Sequence, residues 1–227
     1  MRLHRFYIKE NINLDKELVI QDKDLINQVR NVFRMKKNDR VIFFDGSGMD
    51  FVSEILVLEK NKMIVIPKEE KEAVILKKNI TLFQVLVKKD NFEFIAEKCT
   101  EVGVSSIVPV ISERSEKKSV NIERIEKILK EASEQSGRAI IPKISSVIKF
   151  IDLPFEEVTI FAADLGGEDV KEINFPDGCG ILIGPEGGFS EEERMFLKEK
   201  GVKSFSLGET VLRAETAAIV ASAFSIK

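Results

Sequence analysis

Short apolar runs broken by turns fill the first part of the chain: Arg5 to Ile8, Leu18 to Ile20, Val41 to Phe44, Phe51 to Leu58 and Met63 to Pro67. Asp45-Gly46-Ser47-Gly48 and Lys60-Asn61 are among the turn signals between them, and short strands so punctuated predict a small β-barrel. One interval, Asp24 to Arg34, instead places Leu25, Val29 and Val32 at helical spacing, with Asp22 or Asp24 available as a cap. From Lys68 to Asn79 mixed charges dominate, the composition expected where few contacts cross between domains. The resulting division is a barrel over 1–70, a linker over 71–78 and a second domain over 79–227.

Beyond that linker, strand and helix alternate. Ile80 to Val87 is an apolar run, Asp90 or Asn91 can cap a helix carrying Phe92, Ile95, Ala96 and Cys99, and Gly103 closes it. Ser106 to Ile111 follows as a strand. Asn121 then caps a longer helix with Ile122, Ile125, Ile128, Leu129 and Ala132 on one stripe, ended by Gly137. Val158 to Ala163, Gly180 to Ile183 and Ser204 to Leu207 are short and almost wholly apolar. Strands of that kind are buried on both faces, so the second domain is expected to be α/β with a mostly parallel sheet.

Composition narrows the chemistry. With His4 as the lone histidine, a multi-histidine metal site is impossible and a Ser-His-Asp triad would have to use it. Cys99 and Cys179 stand far apart without a C-x-x-C, so they predict small core residues, and no metal is expected. No apolar run reaches the ~18 residues of a membrane span, and no signal-peptide core follows Met1; a cytoplasmic protein is expected. The formal charge of −3 hides a division, because residues 1–150 carry a net +5 and residues 151–227 a net −8. A basic front end can bind phosphates by releasing counterions, although a lysine and arginine excess also serves solvation.

Three constellations could carry chemistry. Ile181-Leu-Ile-Gly-Pro-Glu-Gly-Gly-Phe-Ser190 leads from a buried strand through a glycine loop into a helix with Ser190 and Glu193 at capping-box spacing. It matches neither a Walker loop nor the dinucleotide fingerprint. The run Glu191-Glu192-Glu193 would repel a phosphate, so a neutral or cationic ligand suits the loop, and a plain tight connection is the simpler alternative. Ser206-Leu-Gly-Glu-Thr-Val-Leu-Arg-Ala-Glu-Thr-Ala-Ala218 and Ala162-Ala-Asp-Leu-Gly-Gly167 are two further strand ends. In open α/β sheets ligands bind beyond the carboxyl ends of strands. The third constellation pairs Ser112-Glu-Arg-Ser115 with Ala132-Ser-Glu-Gln-Ser-Gly-Arg138. There Gln135 and Arg138 suit RNA contacts, and ordinary helix capping is the alternative.

Gly184-Pro-Glu-Gly-Gly-Phe189, Leu207-Gly-Glu-Thr-Val-Leu-Arg-Ala-Glu-Thr216, Ser112-Glu-Arg-Ser115, Glu134-Gln-Ser-Gly-Arg138 and His4-Arg-Phe-Tyr7, spread along essentially the whole chain, together resemble the RsmE family. Its members are bacterial methyltransferases that modify N3 of a uridine in small-subunit ribosomal RNA, within the SPOUT superfamily. The resemblance implies an N-terminal PUA-like barrel and a SPOUT α/β domain tied in a deep trefoil knot, a rare exception to unknotted topology. It implies S-adenosylmethionine as cofactor, held by Leu165, Gly166, Gly167, Ile183, Gly184, Pro185, Glu186, Gly187, Gly188, Leu207, Gly208, Val211, Leu212, Arg213 and Ala217. A homodimer through the knotted domain is implied as well.

Methylation at a uridine nitrogen requires in-line placement, loss of the imide proton and stabilisation of the uracil anion. Arg5, Arg138 and Arg213 are the candidate cations, with Glu186 the catalytic carboxylate candidate and Glu215 a carboxylate that serves either chemistry or the knot. Ribosomal RNA, in the small subunit, is the expected partner, held by Arg2, Arg5, Arg30, Arg34, Lys36, Lys37, Arg40, Arg114, Gln135 and Arg138. Two alternatives stay open: a SPOUT methyltransferase acting on another RNA such as transfer RNA, and a non-catalytic RNA-binding assembly factor.

Overall fold

A computed structural model describes residues 3–115 and 117–227; Arg2, expected among the RNA contacts, lies outside the described residues. The chain divides into two units, one of residues up to Ile75 together with Ser133–Ile140, the other of Leu76–Ala132 and Ile141–Lys227.

The first unit is built on five strands, β1 (Arg5–Tyr7), β2 (Leu18–Ile20), β3 (Arg40–Phe44), β4 (Met49–Leu58) and β5 (Met63–Glu72), in the order β1-β3-β4-β5-β2. β1 runs parallel to β3 and the remaining pairs are antiparallel. Phe6, Val41, Phe43, Ile55, Met63 and Val65 alternate inward to form its core. Two departures from the sequence pattern stand out. Lys71 and Glu72, expected to begin the linker, continue the strand and pair with Asp50 and Met49. Helix α1 (Lys23–Asn27), capped by Asp22, widens into a π turn at Gln28–Val32 where an unbroken α-helix was expected.

The second unit has a seven-stranded sheet whose pairings are all parallel. Its strands are β6 (Thr81–Val85), β7 (Ser106–Ile111), β8 (Lys143–Ile144), β9 (Ile148–Lys149), β10 (Ile160–Asp169), β11 (Gly180–Ile183) and β12 (Lys203–Ser206). The order is β12-β10-β11-β6-β7-β8, with β9 also on β7. Both faces are covered. Helices α2 (Lys89–Val102), α3 (Ile122–Ser136) and α5 (Ala214–Ser225) bury Ile95, Cys99, Leu129 and Ala218 with Leu82, Ile107 and Ile181. On the opposite face Leu197 of α4 (Glu191–Glu199) joins Phe83, Val110, Leu182 and Phe189. Pro109, which has no N–H to donate, sits between the β7 residues paired to β8 and those paired to β9. Helix α2 begins at Lys89, ahead of both expected caps. Asn121 does cap α3, its side-chain oxygen accepting the Arg124 N–H at 3.0 Å.

Candidate functional site

Strand order dictates where the site lies. Because β12, β10 and β11 are parallel neighbours, the segments that follow them emerge on one edge of the sheet, beyond the carboxyl ends where open α/β sheets bind ligands. A cavity of about 250 Å³ lies there. Ala163, Asp164 and Leu165 from β10, Ile183 through Phe189 after β11, and Phe205, Leu207, Gly208 and Thr210 to Leu212 around the end of β12 line it, with Ala214 and Ala217 of α5 and Arg194 of α4.

The loop after β11 is shaped from both sides. Downstream, Ser190 and Glu193 form the expected capping box, in which Glu193 Oε2 accepts the Ser190 N–H at 2.9 Å. From the loop after β7, Arg114 Nη1 donates to the Gly187 carbonyl at 2.8 Å, and the Glu113 N–H donates to Glu193 Oε1 at 2.9 Å. Gly188 takes φ +64°, a left-handed backbone that favours glycine. These contacts hold the loop, whose Gly184, Gly187 and Gly188 bring no side chain to the cavity wall.

The walls combine apolar surface with a sparse charge pattern. Leu165 and Val211 are 55% and 77% exposed at the cavity, apolar area of the kind that a ligand covers. Asp164 and Glu186 are the acidic side chains lining it, and among the described residues Arg194 is the one basic side chain that does. Arg194 Nε and Nη2 donate to the two Asp164 oxygens at 2.8 and 3.2 Å. Glu186 is exposed, with Asn91 Nδ2 at 3.4 Å from its Oε1. No group of three or more His, Cys, Asp or Glu side chains among the described residues is placed to hold a metal, and none of the helices is long and apolar enough to cross a membrane.

Most of the cofactor candidates meet at this cavity. Leu165, Ile183, Gly184, Pro185, Glu186, Gly187, Gly188, Leu207, Gly208, Val211, Leu212 and Ala217 line it; Gly166, Gly167 and Arg213 do not. Gly167 instead packs its α-carbon against the Phe205 backbone of β12, and Arg213 is the N-cap residue of α5, its side chain 86% exposed. Asp164, Phe189 and Arg194 line the cavity outside the segments the sequence assigns to the cofactor. The aspartate in Ala162-Ala-Asp164 was the one available signal.

The candidate cations of the first unit, Arg5 and Arg138, are both buried. Arg5 is 8% exposed: its Nε donates to Asp50 at 2.8 Å, its Nη1 donates to the Ser133 carbonyl at 3.1 Å, and its guanidinium lies 3.5 Å from the centre of the Phe44 ring. Arg138 is 5% exposed, donates from Nε to the Ile140 carbonyl at 2.8 Å, and is pushed by burial to a pKa of about 10. Glu134, beside them in sequence, accepts the Tyr7 N–H at 2.9 Å. In contrast, Arg30, Arg34, Lys36, Lys37, Arg40 and Gln135 are exposed. Arg40 is shared with Glu69 at 3.3 Å. Arg114, expected to touch RNA, spends hydrogen bonds on the cavity loop.

Comparison with known proteins identifies the family. The RNA methyltransferase domain family matches residues 75–225. The ribosomal RNA small subunit methyltransferase E of Rickettsia conorii is 32% identical, over 98% of this chain and 95% of its own. A crystal structure of the corresponding enzyme from Neisseria gonorrhoeae, bound to S-adenosyl methionine, has a TM-score of 0.89 at 30% identity, covering 98% of this chain and 96% of that one. A putative methyltransferase from Legionella pneumophila, also in complex with this cofactor, has a TM-score of 0.88 at 27% identity, with 98% and 96% covered. By its sequence over nearly its full length, the chain belongs to the ribosomal RNA small subunit methyltransferase E family of RNA methyltransferases.

Proposed function

We propose that the protein methylates N3 of a uridine in small-subunit ribosomal RNA with S-adenosylmethionine as methyl donor. The observation that carries this reading is the meeting of three strand-end segments at one cavity, with two carboxylates and a single guanidinium on its walls. That cavity suits the donor: the glycine loop leaves its main chain accessible, Ile183, Leu207 and Leu212 offer apolar walls for an adenine, and Asp164 and Glu186 favour positive charge. A triphosphate would meet those carboxylates and the acidic first turn of α4.

Bound there, S-adenosylmethionine supplies an electrophilic methyl group whose thioether leaves without acid assistance. The protein then has to orient the uridine, help N3 lose its proton and stabilise the resulting anion. Arg213, exposed at the start of α5 next to the cavity-lining Leu212 and Ala214, is assigned to the anion, and exposed Glu186 to the proton. Arg5 and Arg138 act as positioning residues that fix the segment 133–140, from which exposed Gln135 faces RNA. The surface of Arg30, Arg34, Lys36, Lys37 and Arg40 holds the phosphate backbone.

In the same reading the first unit is a PUA-like barrel, the segments at 184–188 and 207–213 belong to a SPOUT trefoil knot, the enzyme works as a homodimer through that domain, and it meets its substrate in the cytoplasm. Incubation of small ribosomal subunits with labelled S-adenosylmethionine, followed by mass spectrometry of the nucleosides, tests the reaction. 3-Methyluridine is the expected product; a different methylated nucleoside overturns the target assignment.

A further inference from the structure

The ion pair in the cavity wall has a geometry that internal bracing does not exhaust. Arg194 commits Nε and Nη2 to Asp164, but a guanidinium carries five N–H donors. Its Nη1 lies outside that pair, with Glu191 Oε2 as a distant neighbour at 3.9 Å. Asp164 Oδ1 also accepts the Leu165 N–H at 3.1 Å, which fixes the carboxylate at the end of the exposed wall. Both side chains are partly open, at 40% exposure for Arg194 and 22% for Asp164. Surface pairs of this kind contribute little to stability, so folding alone is a weak reason for one at this position.

Charge supplies the stronger reason. The cavity presents two carboxylates, Asp164 and Glu186, and one guanidinium, Arg194. S-adenosylmethionine at neutral pH carries the opposite set: a sulfonium and an ammonium, both positive, and one carboxylate. The donor's carboxylate and ammonium are opposite in sign to Arg194 and Asp164, and the guanidinium edge not turned to Asp164 keeps N–H donors for a carboxylate.

We infer that Asp164 and Arg194 form the subsite for the α-amino acid end of the methyl donor, Arg194 taking its carboxylate and Asp164 its ammonium. The inference rests on the reading of this cavity as the S-adenosylmethionine site. It assigns the adenine end, by exclusion, to the apolar and glycine walls farther from the pair, and it makes the zwitterionic tail a determinant of affinity.

Truncated ligands test it. S-adenosylhomocysteine keeps the amino acid end and loses the sulfonium charge; 5′-methylthioadenosine lacks the amino acid altogether. Titration calorimetry of the wild-type protein, R194Q and D164N with S-adenosylmethionine and these two compounds separates recognition from bracing. R194Q is expected to weaken S-adenosylmethionine and S-adenosylhomocysteine by about tenfold, and 5′-methylthioadenosine by less than about twofold. D164N is expected to do the same. Because the truncated ligand needs the same cavity, its retained affinity also shows that each variant is folded. Equal losses for all three ligands, or no loss for any, overturn the subsite while leaving the cavity reading in place. A wild-type protein that binds none of the three overturns the cavity reading and the subsite with it.

Discussion

Arg114 and Gly187, 73 positions apart in the chain, are joined by a 2.8 Å hydrogen bond from the arginine Nη1 to the glycine carbonyl. The bond connects the loop after β7 to the loop after β11, and the bond from the Glu113 N–H to Glu193 Oε1 ties the first of these loops to α4 as well. The glycine loop is therefore set by tertiary contacts as well as by its own residues.

Removing that connection is expected to act on the cofactor first. R114A should lower S-adenosylmethionine affinity by about tenfold, through loss of its charge-assisted hydrogen bonding to the Gly187 and Phe189 carbonyls. Calorimetry on the variant checks it. A change confined to RNA affinity would instead place the arginine at the RNA surface.

Adjacent glycines should answer differently to the same substitution. A Cβ on Gly167 would collide with the Phe205 backbone, where no side chain can yield, whereas one on Gly166 meets nothing within 4 Å. G167A is expected to cost about 3 kcal/mol or more, and G166A well under about 1 kcal/mol. Thermal melts of the two variants make the comparison.

The buried Arg5–Asp50 pair, 2.7 Å from Nη2 to Oδ1, offers a stability test in the first unit. D50A leaves the buried Arg5 guanidinium without its carboxylate, at an expected cost of about 3–5 kcal/mol. Chemical denaturation followed by fluorescence of the single Tyr7 reports on the unit concerned.

Burial raises the pKa of Cys99 to about 12 and that of Cys179 to about 11, from 9.0. Both thiols should be inert to Ellman's reagent at pH 8 in the folded protein and react fully in denaturant. Raised folded values mean that the thiols ionise on unfolding before they ionise in the native state. Their contribution to stability is intact below pH 9 and is lost as the pH climbs toward 11. Unfolding titrations at pH 8 and pH 10 read the direction.

Charge reversal of Arg34 and Lys36, both exposed, should weaken binding to small-subunit RNA and reduce the slope of log affinity against log salt by roughly 0.7–0.9 for each phosphate no longer neutralised. Filter binding at several salt concentrations measures both.

Features written in neighbouring residues were legible. The Ser190–Glu193 capping box, the Asn121 cap and the apolar strand Gly180–Ile183 all depend on local spacing. Pairings across strands were not: Asp164 finds Arg194, and Arg114 finds Gly187, only because the order β10-β11-β6-β7 brings their loops together. Lys71 and Glu72 read as linker because an exposed strand end carries no apolar alternation. β8 and β9, two residues each, are too short for periodicity. Arginine is ordinarily a surface residue, so the burial of Arg5 could not be foreseen without Asp50 and the Ser133 carbonyl beside it.

The first unit draws its last eight residues, Ser133–Ile140, from beyond more than half the length of the chain. A ribosome emits those residues well after Ile75. During that delay the Tyr7 N–H has no Glu134 acceptor and Arg5 has no Ser133 carbonyl. Birth order and folding order therefore diverge: the amino-terminal unit is synthesised first but completed only after α3 has been translated, so neither half of this protein matures as an independent, consecutive block.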